Sequence, residues 1–504
     1  MNRPKLVFLP TMTLISVILG VCYGILMSSL DMRLEGGAIA VLGLGPLYLY
    51  LDRKCTPGFI IGPSSFIYIL HVLGYSIGPL AQRYILHSEY FIVDGMILAQ
   101  WGAVIGLLTY AIVYINVFRA VSRRLYNGKN ERLALSPEGS KWGGYTSILL
   151  AISVLILFYG YVSGASRRIG GLAAMENTTL MQTIVSSFLF VKIIVFFFLG
   201  YLAIKLRGRW LVLAAFAYVA YAGFETLEGN RGPLVYSLLM LSTGVVWAGY
   251  SIRKTVVALC LSAMLFVPLA GVVNYYRSYT SLTQYEEGFI ERMSAFSQAM
   301  RELKTIEKEG SEIAGRALII AITAETVDRI MTMTPEVIPH AGFEGLNAIF
   351  YIYMPLLIAP DRPEIGDGNI IAATYGVGKG TNSTFSYVPA VGEGYRRFGW
   401  FGIPLIYALS GIIFGTALAV FWVRRGVPEC FAMLLFLVLQ APGVWSFTFN
   451  YAFYFALFYV PKYYIYFVIL RKLQGVFSSC YTRFRRIGFV QRVGANRVEI
   501  GARR

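Results

Sequence analysis

Apolar runs of about 17–25 residues recur along this chain from end to end, each long enough to cross a hydrocarbon core of about 30 Å. A run of that kind can cross lipid only by satisfying its backbone polar groups within itself, as a helix does. The runs fall at roughly 6–28, 36–51, 59–80, 96–118, 143–163, 181–204, 210–225, 233–249, 255–275, 399–423, 430–448 and 451–470. Composition agrees. Of 504 residues, 57% are hydrophobic and 14% charged, and the mean hydropathy is +0.61. A soluble chain carries about a quarter charged residues. The expected fold is an all-α integral membrane protein of about 12 transmembrane helices.

The net charge is +17. In a soluble protein that would suggest nucleic acid; here its distribution suggests a membrane topology. With the N-terminus in the cytoplasm, the inner segments hold about 26 basic residues and the short outer loops about five, Arg33, Arg83, Arg167, Arg168 and Arg231. This bias predicts both termini in the cytoplasm. The basic tail, residues 471–504, is expected to lie against anionic lipid headgroups rather than nucleic acid. The first apolar run follows Arg3 and Lys5 but is long and lacks a small-residue cleavage site, so it is read as an uncleaved helix. None of the five cysteines falls in the largest outer loop, which excludes a disulfide there.

That loop divides the chain. Residues 1–275 form a nine-helix transmembrane region, 276–398 a large loop on the non-cytoplasmic face, 399–470 a three-helix region and 471–504 the tail. Loops of such length are usually functional. Within it, 282–308 carries Phe289, Met293, Phe296, Met300 and Leu303 at three- and four-residue steps, the pattern of an amphipathic helix. A second helix is expected over 311–333, closed by Pro335 and Pro339. The apolar stretch 342–359, broken by Pro355, is too short to span and reads as interfacial or re-entrant.

Three arginine sites approach helix ends on the outer face. Arg231 precedes Pro233, which suits a first helical turn. Arg277 stands where the ninth span emerges, and Arg396 and Arg397 stand just before the tenth. Free N–H groups and the positive dipole end make an outward helix N-terminus an anion site, and arginine strengthens it. The competing reading is that these arginines anchor helices at the headgroups. Three ionisable residues fall inside spans: His71, Lys192 and Lys462. Intramembrane charges usually face a polar cavity, although lysine can also snorkel, and His71 fits a neutral hydrogen-bonded core. His340 is the only histidine in the large loop. Asp361, Glu364 and Asp367 could hold a divalent cation, but their spacing matches no ligand pattern and a polar turn explains them as well.

The segment Ser383-Thr-Phe-Ser-Tyr-Val-Pro389-Ala-Val-Gly392-Glu393-Gly-Tyr395-Arg396-Arg397-Phe398-Gly399-Trp-Phe-Gly402 leads into a span containing Gly411 and Gly415. It resembles the oligosaccharide repeat-unit polymerase family, the O-antigen (Wzy-type) and exopolysaccharide polymerases, many of which carry G-E-x-Y-x-x-F-G-x-x-G entering a late helix. Asn230-Arg231-Gly232-Pro233 looks like the S-R-G stretch of these polymerases and of O-antigen ligases, and Arg277 opens the large loop as arginines often do in the family. The paired Arg396-Arg397 departs from relatives that have a neutral residue there.

The resemblance implies a glycosyltransferase of the integral-membrane (GT-C-like) type in a bacterial inner membrane, working at the periplasmic face without cofactor or metal and inverting the anomeric centre. Two undecaprenyl-diphosphate-linked oligosaccharides would be donor and acceptor, with membrane lipid, a chain-length regulator and a flippase as further partners. The growing chain would pass en bloc to a new unit. Arg231, Arg277, Arg396 and Arg397 would meet the diphosphate, since the guanidinium fork matches phosphate oxygens. Glu393 stands first as the base for the acceptor hydroxyl and His340 second; a salt bridge from Glu393 to Arg396 or Arg397 is the competing role. Tyr395 and Lys462 would contact substrate, or Tyr395 would anchor the interface. An O-antigen ligase could use the same arginines. A lipid-linked sugar or polysaccharide transporter would be expected to show paired halves, which are absent here.

Overall fold

The computed structural model describes residues 4–26, 29–84, 93–126, 139–162, 190–227, 232–259, 293–294, 296–298, 301, 319–346, 371, 374–376 and 388–475. Every regular element among them is helical. Six helices are long and apolar enough to cross a membrane: Leu30–Cys55, Pro63–Ala81, Asp94–Tyr126, Ala390–Val423, Pro428–Ser446 and Phe449–Gly475. Shorter apolar helices cover Thr11–Gly24, Trp142–Phe158 and Pro233–Trp247. The chain is an all-α membrane protein. The expected amphipathic segment 282–308 lies almost wholly outside the described residues, and of the stretch 342–359 only 342–346 is described.

The elements follow in order as α1 (Pro4–Leu26), α2 (Leu30–Leu42), α3 (Gly45–Cys55), α4 (Pro63–Val72), α5 (Gly78–Tyr84), α6 (Val93–Tyr126), α7 (Gly139–Val162), α8 (Val191–Lys205), α9 (Arg209–Leu227), α10 (Gly232–Trp247), α11 (Ile319–Met333), α12 (Ala390–Phe398), α13 (Gly402–Val423), α14 (Pro428–Gln440) and α15 (Phe449–Gly475). Local chemistry sets their ends. Ser29 accepts from Met32 N–H at the start of α2 (3.3 Å). Asp52, near the end of α3, accepts from the N–H groups of Ser64 (2.9 Å) and Ser65 (2.8 Å), so one carboxylate satisfies two orphan donors in the first turn of α4. A π-helical turn, Leu73–Ile77, joins α4 to α5.

Two helices organise the bundle. With 34 residues, α6 is about 51 Å long, more than the full thickness of a bilayer with its headgroups. Its most extensive partner is α13, and α2 and α11 also pack against it. The second organiser is α8, which apart from Lys192 in its first turn is apolar on every side along its buried length between α7, α9 and α10, the state expected of an all-round hydrophobic helix. Phe197 and Phe198 of α8 meet Trp142 of α7 and Phe431 of α14, which join the helices through aromatic edges. His71 is part of this core. Its Nδ1 lies 2.7 Å from Ile67 O and its Nε2 lies 2.5 Å from Tyr407 Oη, so the hydroxyl donates to a neutral ring whose other nitrogen donates to the carbonyl. Trp445 covers the ring at 5.0 Å.

The expected tenth span began at 399. In the structure the helix starts earlier, at Ala390, and is interrupted at Gly399. This moves Glu393, Arg396 and Arg397 from a loop into a helix.

Candidate functional site

The short helix α12 puts three charges on one face. Glu393, Arg396 and Arg397 stand at positions i, i+3 and i+4, which are neighbours on a helix surface. Glu393 is completely buried, Arg397 is 1% exposed and Arg396 is 8% exposed. Arg396 donates to Glu393 Oε2 from Nε (3.1 Å) and Nη2 (2.7 Å). Arg397 donates from Nε to Oε1 (2.5 Å). Each carboxylate oxygen therefore accepts from a different guanidinium. The formal sum of the three is +1.

A strap of residues 340–346 closes the far end of α12. Ala341 N–H donates to Arg396 O and Gly342 N–H to Arg397 O, both at 3.0 Å. These bonds satisfy carbonyls that a helix C-terminus would otherwise leave open. Arg397 Nη1 reaches back to Gly342 O (3.1 Å) and Glu344 O (2.5 Å). Asn450, near the start of α15, donates from Nδ2 to Gly345 O (2.9 Å). One arginine thus links a carboxylate on its own helix to the strap, and the strap is held to the last helix.

The glycines of the motif make this geometry accessible. Gly399 has φ +60°, a conformation that L side chains rarely adopt, and breaks the chain between α12 and α13. The backbones of Gly394 and Gly402 then come into direct contact, and a side chain at either would collide with the other strand of this bend.

His340 stands exposed at the edge of the cluster, its Nδ1 3.4 Å from Arg396 O and its ring edge-to-face with Tyr395 at 6.0 Å. Tyr395 packs on Trp400 (5.7 Å), and Phe398 sits between Phe343 (5.2 Å) and Phe449 (5.7 Å). Val337, Phe343 and Phe401 are largely exposed and give the site an apolar rim. Behind it, Val327 and Ile330 of α11 pack against Gly392. Arg329 of the same helix donates to the carbonyls of Tyr375 (3.2 Å) and Gly376 (2.9 Å).

The structure brings together five of the residues singled out in the sequence: Glu393, Arg396, Arg397, Tyr395 and His340. Arg231, Arg277 and the carboxylates at 361, 364 and 367 lie outside the described residues. Lys462 is elsewhere, 12 positions past Asn450 on α15 and so about 18 Å along that helix. It is half-buried among rings of its own helix, 5.3 Å from Phe458 and 5.8 Å from Tyr459. Lys192 is buried in an ion pair with Glu225 of α9, and its ammonium also lies 5.7 Å from the Tyr221 ring centroid. Sequence reasoning missed Glu225 and Asn450. Glu225 falls at the edge of an apolar run, where a carboxylate looks like a boundary residue. Among the described residues no three of His, Cys, Asp and Glu are grouped as metal ligands would be.

Comparison with protein-family models, with curated proteins and with solved structures returns no match.

Proposed function

We propose that this protein is a polymerase of polyprenyl-diphosphate-linked oligosaccharide repeat units, an inverting glycosyltransferase of a bacterial inner membrane. In this reading both termini are cytoplasmic, about 12 helices cross the bilayer, and the large loop and the site face the periplasm. The observation that carries the proposal is the buried Glu393–Arg396–Arg397 cluster at the head of a long apolar helix. Buried ionisable groups are costly unless paired, and clusters of them are candidate functional sites. Guanidinium groups match phosphate oxygens in geometry, and the departing diphosphate presents such oxygens.

The chemistry divides among these residues as follows. The acceptor hydroxyl attacks the anomeric carbon of the donor chain, the bond from that carbon to the diphosphate oxygen breaks, and the hydroxyl proton goes to a base. Arg231, Arg277 and Arg396 meet the leaving diphosphate, whose charge develops in the transition state. Arg397 already spends its fork on Glu393 and two carbonyls, and in our reading it fixes the position of Arg396. Glu393 has both oxygens engaged by guanidinium groups, which favours its salt-bridge role over proton abstraction. We therefore place His340 as the base. Its Nδ1, donating to Arg396 O, leaves Nε2 as the acceptor nitrogen. Tyr395 and the aromatic rim offer faces for sugar or for the interface.

The test is deletion of the gene followed by sizing of lipid-linked and surface glycans. Single repeat units with loss of long polymer are expected. Long polymer retained on its carrier lipid would instead indicate a ligase, and unchanged glycans would overturn transfer chemistry altogether.

A further inference from the structure

Away from that site, a lysine stands in the middle of an apolar span. Helix α15 runs Phe449–Gly475, so thirteen residues flank Lys462 on each side, about 20 Å of helix. Arg471 and Lys472, nine and ten positions further on, suit the headgroup end of the span. A rise of about 14 Å from Arg471 puts Lys462 close to the centre of a hydrocarbon core of roughly 30 Å. The four-carbon stem of lysine covers only part of that distance, so the ammonium does not reach water by snorkelling. Its neighbours are rings of its own helix: Phe458 at 5.3 Å, Tyr459 and Tyr466 at 5.8 Å and Tyr463 at 5.9 Å. The ring faces attract the charge. Among the described residues, however, no carboxylate pairs with the ammonium and no group accepts from its three N–H donors.

The helix that carries Lys462 is also the least enclosed of the six spans. In its most apolar stretch 22% of the residues are buried, against 56% or 78% in the other five. Leu457, Pro461, Ile465 and Ile469 recur at four-residue steps as an exposed stripe, and Lys462 borders it. The molecule itself shows what a lysine within an apolar run takes as partner, since Lys192 pairs with Glu225 of the neighbouring helix. Among the described residues no helix brings such a carboxylate to Lys462. A second copy does not supply one by symmetry, because two copies meeting on this face would set Lys462 against Lys462 in a medium of low dielectric. We propose that the face of α15 around Lys462 is the docking site for a transmembrane helix of a partner protein that carries an Asp or Glu side chain at the same depth. Pairing gives the ammonium the counter-charge and the acceptors that the rings lack, and polar contacts of this kind hold helices together in lipid. This inference does not depend on the glycosyl-transfer reading.

The experiment uses the full chain in phospholipid vesicles with a synthetic transmembrane peptide of leucine and alanine that carries one central Glu. Its twin carries Leu at that position. Association is read as energy transfer from a donor on the C-terminus of the chain to an acceptor on the peptide. The Glu peptide is expected to half-saturate the wild-type chain at a mole fraction at least tenfold below its twin. Lys462→Met should abolish that preference, and Lys462→Arg should keep it. Lys462→Glu should reverse it in favour of a peptide with a central Lys. The comparison of the two peptides on the wild-type chain decides by itself if the variants fail to insert. Equal half-saturation by both peptides would overturn the proposal, as would a preference that survives Lys462→Met. Displacement of the Glu peptide by polyprenyl diphosphate would overturn it by assigning the lysine to a lipid-linked substrate, and displacement by a second copy of the chain would do so by assigning the face to self-association.

Discussion

The protein buries charge in two places and compensates it in two ways. At α12 one carboxylate faces two guanidinium groups on the same helical turn, the formal sum is +1, and Arg397 continues into backbone carbonyls of the strap. Between α8 and α9, Lys192 meets Glu225 across 33 positions of sequence, the sum is zero, and a tyrosine ring is the other near neighbour of the ammonium. Both remove charges from water, and both owe their stability to pairing. The difference lies in what remains. A neutral pair that joins two helices answers a structural need. The cluster at α12 joins a helix to a strap of residues 340–346 and is bordered by an exposed histidine and an apolar rim, features that the pair between α8 and α9 does not have among the described residues.

The largest effect should come from Arg397. Arg397→Ala leaves Glu393 with one guanidinium partner and removes two side-chain bonds to the strap, at a cost of about 3–5 kcal/mol, as for breaking other buried pairs. Polymer should disappear from a glycan ladder. Arg397→Lys should not restore it, because an ammonium cannot serve Glu393 Oε1 and two carbonyls with a fixed fork. Wild-type ladders from either variant would erase the distinction between the two charge clusters. His340→Ala comes next. It should slow polymerisation by about 10²–10⁴-fold, the range for loss of a general base, with the thermal midpoint unchanged. A shift in midpoint with retained rate would move His340 into the structural category.

The second cluster separates from the first by a double mutant. Lys192→Met alone leaves Glu225 buried and unpaired, and should cost about 3–5 kcal/mol in denaturation of the purified protein. Lys192→Met combined with Glu225→Leu should recover most of that loss, because an apolar pair of similar size replaces a neutral ion pair in an apolar surround. The corresponding removal of charge at α12 should not recover activity. A double mutant at 192 and 225 that is stable but makes no polymer would show that this pair, too, has a functional role.

Much of this was legible before the structure. Run length and low charge define a helical membrane protein, because lipid leaves the backbone few other solutions. Three ionisable groups within apolar runs stood out in the sequence, and His71 proved to be the hydrogen-bonded core residue that its surroundings suggested. The Gly-Glu-x-Tyr segment was recognisable as a unit, but its geometry was not. Its helix begins at Ala390, because Pro389 supplies an extended N-cap and Gly399 absorbs the break. The partner of Lys192 was hidden for a different reason. Pairing across 33 residues depends on how α8 and α9 pack, and periodicity reports only which face of a helix is apolar.

Smaller effects test how far the organisation around α12 extends. Asn450 Nδ2 donates to Gly345 O, and its loss in Asn450→Ala should cost about 0.5–1.5 kcal/mol, the net range for one hydrogen bond. If the strap positions Arg397, this variant should also lower the polymerisation rate although it touches no charged group; stability lost with full rate would confine the strap to a structural role. The exposed ion pair of Arg83 and Asp31 gives the lower limit of the series. Its geometry is good, with Nε at 2.8 Å from Oδ1 and Nη2 at 3.3 Å from Oδ2. Yet both side chains are more than 40% exposed, and water and salt screen such a pair. Arg83→Ala should therefore leave both the thermal midpoint and the polymer ladder unchanged within error. A clear loss there would mean that pairing geometry, rather than burial, sets the energetic weight of charge in this molecule, and the contrast between its two buried clusters would lose its physical basis.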